Sequence, residues 1–376
     1  MELFCPKLRD NSLASTNAKI AEKSLSKIQF SEYDLTIVEM RTQSRSTLGD
    51  VAKVAGVSKM AVSVVLNGAR SGTRVSEATR ERILAAAAEL DYRVNPIARS
   101  LRTKRTGIIG FYSGNHSLED RSPYIREILL GIRQAADEVG KDLLMFGIFD
   151  GKSSSEVFRA LSDGRVDGLV IHAAPDDPVV GLLAGSHFPV VAHTDALGTI
   201  PSVVVDDESG GRLQAKVLYD NGHRRVLVRT SKYPFVSVKR RTYAFLDEAK
   251  TLGMETAVGR GTTHGSDHAL DPNEIKLFDL DKPNRFTAIA TWDDGCAHVQ
   301  IGQLAAAGLR IPEDVAVIGF NGVPSEYPLL WDVTSIDCRW DEVARTAVRT
   351  LQDRIAGRDV PMETRLPVVV RPGATV

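Results

Sequence analysis

Residues 47–67, TLGDVAKVAGVSKMAVSVVLN, carry the first chemistry in the chain. Ser58 stands where a helix would begin, with Lys59, Met60 and Ser63 in the turns that follow and Asn67 at the far end. Hydroxyls and the free N–H groups of a helix N-terminus bind phosphate. A second run is Arg99-Ser100-Leu101-Arg102-Thr103-Lys104-Arg105, in which four cations flank one leucine. Cations suit a phosphate-lined groove, and an apolar side chain wedged into such a groove unstacks a base step. A third set is dispersed: Tyr124, Asp206, Arg241, the Trp292-Asp293-Asp294 triplet and Asn321. Carboxylates and an arginine fork match vicinal hydroxyls, and an indole face matches the apolar face of a pyranose. The expected ligand of this set is a sugar.

The elements that would position the first set are two short helices joined by a tight turn, a helix-turn-helix. Thr47 caps the first helix, with Asp50 in the capping-box position. Leu48, Val51, Ala52 and Ala55 form its buried stripe. Gly56 is free to take the left-handed conformation that ends it. Ser58 caps the second helix, whose inner face is Val62, Val65 and Leu66, and Ala52 and Ala61 are small where the helices cross. A third helix starts at Ser76 and runs to about Leu90, with Ile83, Leu84, Ala87 and Leu90 closing a three-helix core. Asn95 and Pro96 open a fourth helix of only two turns, too short to persist alone in water and expected to form against a partner.

The dispersed set needs a different scaffold. From residue 107 onward, short apolar runs alternate with amphipathic stretches: GIIGFY (107–112), DLLMFGIF (142–149), VDGLVIH (166–172), PVVAHT (189–194) and SVVVDD (202–207). That pattern predicts a parallel doubly wound sheet. It restarts with RRVLVRT (224–230), TAIATW (287–292) and VAVIGFN (315–321), each followed or separated by a helical stretch. Two such sheets make two lobes with a cleft between them, and ligands bind beyond the carboxyl ends of the strands. The predicted fold class is therefore a small all-α head with a hinge helix, joined to an α/β core of two doubly wound lobes. The expected boundaries are an extension over 1–45, a head over 46–94, a hinge over 95–106, a first lobe from 107–222 and 339–360, and a second from 223–338 and 361–376. The extension is polar and aperiodic, and is expected to be disordered.

Composition narrows the classes. The 376 residues suit two or three domains, and 43% hydrophobic with 25% charged residues is ordinary globular usage. No apolar run is long enough to span a bilayer, and no secretory h-region is visible at residue 1, so a cytoplasmic protein without a membrane partner is expected. Cys5, Cys296 and Cys338 form neither a disulfide framework nor a zinc pattern. His264 and His268 are spaced i,i+4 but lack a third ligand, so no metal and no cofactor are expected. No Walker loop, Ser-His-Asp order or dinucleotide fingerprint follows a strand, which gives enzymatic chemistry no foothold. Net charge is −1, but 41–106 hold 13 Lys/Arg against 5 Asp/Glu, while 107–376 carry the compensating negative excess. A basic head on an acidic body suits nucleic acid at one end and a separate sensor at the other.

In order and spacing, the run from Thr47 to Gly110 resembles the LacI/GalR family of bacterial transcriptional repressors. The resemblance extends over about residues 46–376, through the periplasmic-binding-protein-like core. It implies a homodimeric, effector-controlled repressor acting on a pseudo-palindromic DNA operator. It assigns Thr47, Ser58, Lys59, Met60, Ser63 and Asn67 to DNA, with Lys59 and Met60 at the base-reading positions. In the hinge it assigns Arg99, Leu101 and Arg102, with Leu101 as the minor-groove wedge. It assigns Tyr124, Asp206, Arg241, Trp292, Asp294 and Asn321 to the effector. Two positions depart from the family pattern. Val64 stands where an arginine is usual, so the operator cannot be read from the helix; Asn321 stands where an aspartate is usual. The competing reading is a small-molecule binding protein or enzyme that does not touch DNA. Retention on a heparin or DNA column distinguishes the two.

Overall fold

The computed structural model describes residues 46–67, 74–114, 123–147, 149–231, 235–260, 268–323 and 332–376. The extension expected over 1–45 and His264 lie outside the described residues. The chain divides into two compact units, Met1–Val94 and Asn95–Val376.

In the first unit, α1 (Leu48–Ala55), α2 (Lys59–Asn67) and α3 (Glu77–Glu89) close one small core. Thr47 and Asp50 form a reciprocal capping box, and Gly56 ends α1 at φ 65°. Ser76 caps α3. Val51, Ala52, Ala55, Ala61, Val62, Ile83, Ala86 and Ala87 are buried together. Ala52 and Ala61 are small at the crossing, as the helix-turn-helix reading requires. Leu84 is not part of this core: it is 48% exposed, and Ala86 takes the inward place. Ile83, Ala87 and Leu90 lie on the stripe as expected, and Leu84 alone falls outside it.

The second unit opens with α4 (Pro96–Thr103), then β1 (Ile108–Ser113), α5 (Pro123–Glu138), β2 (Asp142–Met145), α6 (Ser154–Leu161), β3 (Gly168–His172) and α7 (Pro178–Ala184). Next come β4 (Val190–His193), β5 (Ser202–Val205), α8 (Asp207–Asp220), β6 (Arg225–Thr230), α9 (Val236–Thr251), β7 (Glu255–Arg260) and α10 (Pro272–Ile275). It closes with β8 (Ala288–Ala290), α11 (Asp294–Ala306), β9 (Ala316–Asn321), β10 (Thr334–Asp337), α12 (Trp340–Ile355), β11 (Glu363–Leu366) and β12 (Val369–Arg371). One sheet has the order β11-β5-β4-β3-β1-β2, the other β12-β10-β9-β8-β6-β7. All pairings are parallel except β10 with β12. The segments 255–260 and 334–337 were not anticipated as strands from the sequence.

Both faces of each sheet are covered, which is why the strands read as continuous apolar runs. In the first lobe Ile109, Phe111, Val170 and Val191 face α5 and α12, while Leu169, Ile171, Val190 and Ala192 face α6 and α7. In the second, Leu227, Ile289 and Val317 face α11, while Val226, Val228 and Ile318 face α8 and α9.

Two stretches change lobes relative to the sequence expectation. α8 was assigned to the first lobe within 107–222, but Ala215 and Leu218 pack on the second sheet with Phe245. The crossing therefore falls at Asp206, because the small inner face of α8 fits against α9; a Cβ on Gly211 would collide with the Arg241 backbone. Likewise 361–376 was given wholly to the second lobe. β11 instead pairs in parallel with β5 at the edge of the first sheet, and only β12 returns to the second. Among the described residues, no helix is long and apolar enough to cross a membrane.

Candidate nucleic-acid interface and ligand cleft

The head presents α2 outward. Ala61 and Val62 are buried, while exposed Lys59 and half-buried Ser63 and Asn67 share one i,i+4 row. Met60 beside them is 53% exposed. Ser58 Oγ accepts the Ala61 N–H at 3.2 Å, so its hydroxyl stands at the N-terminus of α2. Thr47 is committed locally: its N–H donates to Asp50 Oδ2 at 2.9 Å and its hydroxyl donates to the same oxygen at 2.7 Å. These bonds hold the Asp50 carboxyl below its ordinary range.

α4 stands apart from both cores. Asn95 Oδ1 caps it, accepting from Ile97 and Ala98 N–H at 2.9 and 3.4 Å, and Pro96 opens it. None of its residues is buried. Ile97 and Leu101, one turn apart, are 71% and 79% exposed, and Arg99 and Arg102 flank them. A bare apolar ridge with basic shoulders fits a groove lined by phosphates. The segment after α4 is fixed to the first lobe. Arg105 donates to the Ile355 carbonyl, which ties this stretch to the end of α12. Thr106 Oγ1 donates to Asp167 Oδ1 at 2.9 Å and Gly107 N–H to Oδ2 at 3.0 Å. Burial pushes the Asp167 carboxyl up, but these bonds and Lys141 outweigh it and hold the carboxyl below its usual value.

The interlobe cleft gathers residues from the carboxyl ends of both sheets. From the first lobe come His172 (β3), His193 (β4), Thr194, Tyr124 at the start of α5 and Trp340 at the start of α12. Tyr124 lies edge-on to Trp340 at 5.0 Å and to His172 at 5.9 Å. Burial pushes its phenol up, against a hydrogen bond with Thr194 and the charge of Arg241. From the second lobe comes Arg241 of α9. Its Nε and Nη2 donate to Asp207 Oδ1 at 3.1 and 2.7 Å, its Nη1 donates to the Trp292 carbonyl at 2.7 Å, and the guanidinium lies 3.7 Å above the Phe320 ring. Asn321 ends β9 with φ 107° and is buried there. Trp292 is half-buried, 5.6 Å from the His268 ring.

Asp195 ties the lobes together at this level. Its two carboxylate oxygens accept from Val236 and Ser237 N–H at 3.1 and 2.7 Å, at the start of α9 in the opposite lobe. α9 has no side-chain cap of its own, so the first lobe completes that helix end. Arg240 adds a two-pronged bond to Glu363 of β11, both prongs at 2.9 Å.

Tyr124, Arg241, Trp292 and Asn321 thus come to the cleft, and two of the sequence-assigned carboxylates do not. Asp206 caps α8: Oδ1 accepts Ser209 N–H at 3.0 Å and Oδ2 the Ser209 hydroxyl at 2.6 Å. The carboxylate beside Arg241 is its neighbour Asp207, which the sequence reading passed over. Asp294 is a buried strut that accepts from the Ser335 hydroxyl at 2.6 Å and from Val323 N–H at 2.8 Å. His193 and Trp340 were also missed. The strand-end rule that found Trp292 applies equally to His193, which closes PVVAH. Among the described residues, no three His, Cys, Asp or Glu side chains gather as a metal site.

Burial pushes the Asp294 carboxyl up to about 7, against the bonds from Ser335 and Val323. A carboxyl with a raised folded value takes up a proton on folding. Its contribution is therefore most favourable below its unfolded value of 3.8 and is lost as pH rises through about 7. Thermal stability should decline across that window. Asp294→Asn keeps an oxygen for Val323 N–H and should flatten the decline; a melting profile with the wild-type slope would count against this.

The comparisons with known proteins agree with this geometry. Residues 47–95 match the model for bacterial regulatory proteins of the lacI family, and residues 215–376 match the periplasmic binding protein-like domain. The chain is 31% identical over 342 residues to the HTH-type transcriptional regulator CelR of Thermobifida fusca, spanning 88% of this chain and 96% of that one. It is 29% identical over 325 residues to the HTH-type transcriptional repressor PurR of Aliivibrio fischeri, spanning 84% and 93%. Among solved structures, a lac repressor dimer bound to operator and the anti-inducer ONPF matches with a TM-score of 0.71 at 25% identity, covering 88% of this chain and 98% of that one. A CelR–cellobiose complex matches with a TM-score of 0.62 at 26% identity, covering 88% and 100%. Helix-turn-helix head, short hinge helix, two doubly wound lobes and relatedness along most of its length place this chain in the lacI family of bacterial regulatory proteins, as a DNA-binding transcriptional regulator controlled by a small-molecule effector.

Proposed function

We propose that the chain represses transcription in the cytoplasm as a homodimer on a pseudo-palindromic operator, and that a sugar in the interlobe cleft controls it. The observation that carries the operator reading is α4: an exposed Ile97–Leu101 ridge between arginines, adjoining a helix-turn-helix. One short recognition helix reads only a half-site, so two heads are needed. Two α4 helices meeting on DNA would cover both ridges. Lys59 and Met60 face the bases of the major groove in this reading, Ser58 and Ser63 lie at the phosphates, and Val64 restricts its position to apolar base edges such as a thymine methyl. For the ligand, the Asp207 carboxylate held by Arg241 stands with the aromatic faces of Tyr124 and Trp292, and a related regulator has been solved with cellobiose.

The test is selection of an operator from random DNA, followed by titration at several salt concentrations. Arg99, Arg102 and Lys104 of each protomer should contact phosphates, so log affinity should fall with log salt by about 0.9 per phosphate neutralised. Salt-independent binding, or binding as a monomer, would overturn the reading. The ligand arm is thermal shift with cellobiose, glucose, glucose 6-phosphate and hypoxanthine; a response to hypoxanthine alone would replace the sugar by a nucleobase.

A further inference from the structure

We propose that Arg105 is a positioning residue that couples the hinge to the interlobe cleft: it fastens the root of α4 to the C-terminal end of α12, the helix whose other end, Trp340, lines the cleft. The proposal rests on the operator-binding reading above and adds to it a route through named residues.

Three consecutive residues behind α4 are held by the first lobe. The Arg105 guanidinium donates to the carbonyl of Ile355, the last residue of α12. The final carbonyls of a helix have no partner within it and carry the negative end of its dipole, so a cation suits them. Thr106 N–H and its hydroxyl donate to Asp167 Oδ1 at 2.5 and 2.9 Å, and Gly107 N–H donates to Oδ2 at 3.0 Å. The Asp167 side chain is only 3% exposed, with Lys141 Nζ at 3.5 Å, so this anchor is firm. The two fastenings adjoin. A Cβ on Gly168, the first residue of β3, would lie 2.9 Å from Leu351 Cδ1 and 3.0 Å from Ile355 Cδ1. The start of β3 and the end of α12 therefore form one socket for the hinge root.

Both elements run from that socket to the cleft. β3 ends at His172, whose ring is 5.9 Å from Tyr124. α12 begins at Trp340, whose ring is 5.0 Å from Tyr124 and 6.2 Å from His193. Its 16 residues span about 24 Å, and neither proline nor glycine interrupts them. Val343, Ala344, Ala347, Val348 and Leu351 are wholly buried along its length. A close-packed interior has few voids to absorb a shift, so a helix embedded in this way moves as a body. α5, which carries Tyr124, moves with it: a Cβ on Gly131 would lie 2.9 Å from the Ala344 Cβ, so the two helices touch at close range. Displacement of Trp340 at the cleft therefore reaches Arg105, and ordering of α4 on DNA reaches Trp340. Linkage requires both directions to be coupled equally. The Arg105 bond is exposed and adds little to stability; its work is to fix the hinge root to the strut.

The test reads the reverse direction, which needs no effector. The chain has three tryptophans, so full-length protein labelled with 5-fluorotryptophan gives three fluorine resonances, and Trp340→Phe identifies the one from the cleft. Titration with the operator selected from random DNA should shift the Trp340 resonance of the wild type. In Arg105→Ala the DNA-free resonance should stay at its wild-type position and the melting temperature should hold, while most of the operator-induced shift is lost. Arg105→Lys keeps a cationic donor for the Ile355 carbonyl and should recover part of the shift. Asp167→Asn added to Arg105→Ala should remove what remains. The salt dependence of operator binding should be the same in Arg105→Ala as in wild type. A slope shallower by about 0.9 per protomer would make Arg105 a phosphate ligand and overturn the proposal. An operator-bound wild type with an unmoved Trp340 resonance, or an undiminished shift in Arg105→Ala, would also overturn it while leaving the repressor reading standing. Failure to select any operator would sink both.

Discussion

Leu101→Ala will weaken operator binding by on the order of a few kcal/mol while leaving both folded units intact. The expectation follows from how little the protein itself does with this side chain. Leu101 is 79% exposed, belongs to neither the head core nor the lobe cores, and lies on a helix with no buried residue. Truncating it removes nothing from the stability of either unit. What it removes is the apolar body that would enter a base step, together with half of the ridge that two α4 helices would bury against each other. An isolated two-turn helix is marginal in water, so anything that lowers its stabilisation by a partner lowers the fraction of hinge that is formed. Affinity and DNA bending should drop together. Circular dichroism melting and a gel-shift bending assay on the selected operator are the measurements. Unchanged bend and affinity would remove Leu101 from the groove.

Arg241→Ala should be among the most damaging single substitutions in the core. The family resemblance assigns this arginine to the ligand; in the structure it spends two donors on Asp207 and one on the Trp292 carbonyl. Removing one partner of a buried ion pair leaves an uncompensated charge, with a cost of about 3–5 kcal/mol. Burial already pushes the Asp207 carboxyl up to about 6 while Arg241 pulls it down. Without the guanidinium the carboxyl rises further. A raised folded value means stability is present at low pH and lost as pH rises through that value. The deficit of the variant relative to wild type should therefore widen above about pH 6. Arg241→Ala combined with Asp207→Asn removes the stranded charge and should recover part of the loss. Urea melts at two pH values test both points; equal deficits at acid and neutral pH, or a double variant no better than the single one, would contradict this account. Effector control of the operator should fail in Arg241→Ala even where it folds, because α9 carries the cleft arginine and is gripped by the first lobe through Asp195.

What the sequence disclosed, and what it hid, follows from the range of the interactions. Helix ends were legible because a cap is settled within four residues: the Thr47–Asp50 box, Ser58, Ser76 and Asn95 all stand where side-chain chemistry puts them. Strands buried on both faces were legible as apolar runs. Leu84 was misjudged because one turn of small and apolar residues, ILAAAA, supports two adjacent stripes equally well. The doublet Asp206-Asp207 hid the cleft carboxylate: the sequence offers two aspartates at a helix start, and only the packing of α8 against α9 decides which of them caps and which turns inward. Asp294 was taken for a ligand group because its bonding partners, Ser335 and Val323, lie on strands and loops remote in sequence. The lobe to which α8 and β11 belong is a property of the crossings, which no local pattern encodes.

The return of α12 and β11 to the first lobe has a consequence for biosynthesis. That lobe begins at β1, yet Trp340, Val343, Ala347 and Leu351 of its core and the β11 edge of its sheet leave the ribosome only after β6 through β10. The head, whose core draws only on residues between 48 and 92, is complete from the outset. Each nascent chain therefore carries a finished reading head for a long interval before it owns a working sensor. A message cut short before α12 would yield a chain with a complete DNA-binding head but a first lobe that lacks both its core helix and its edge strand.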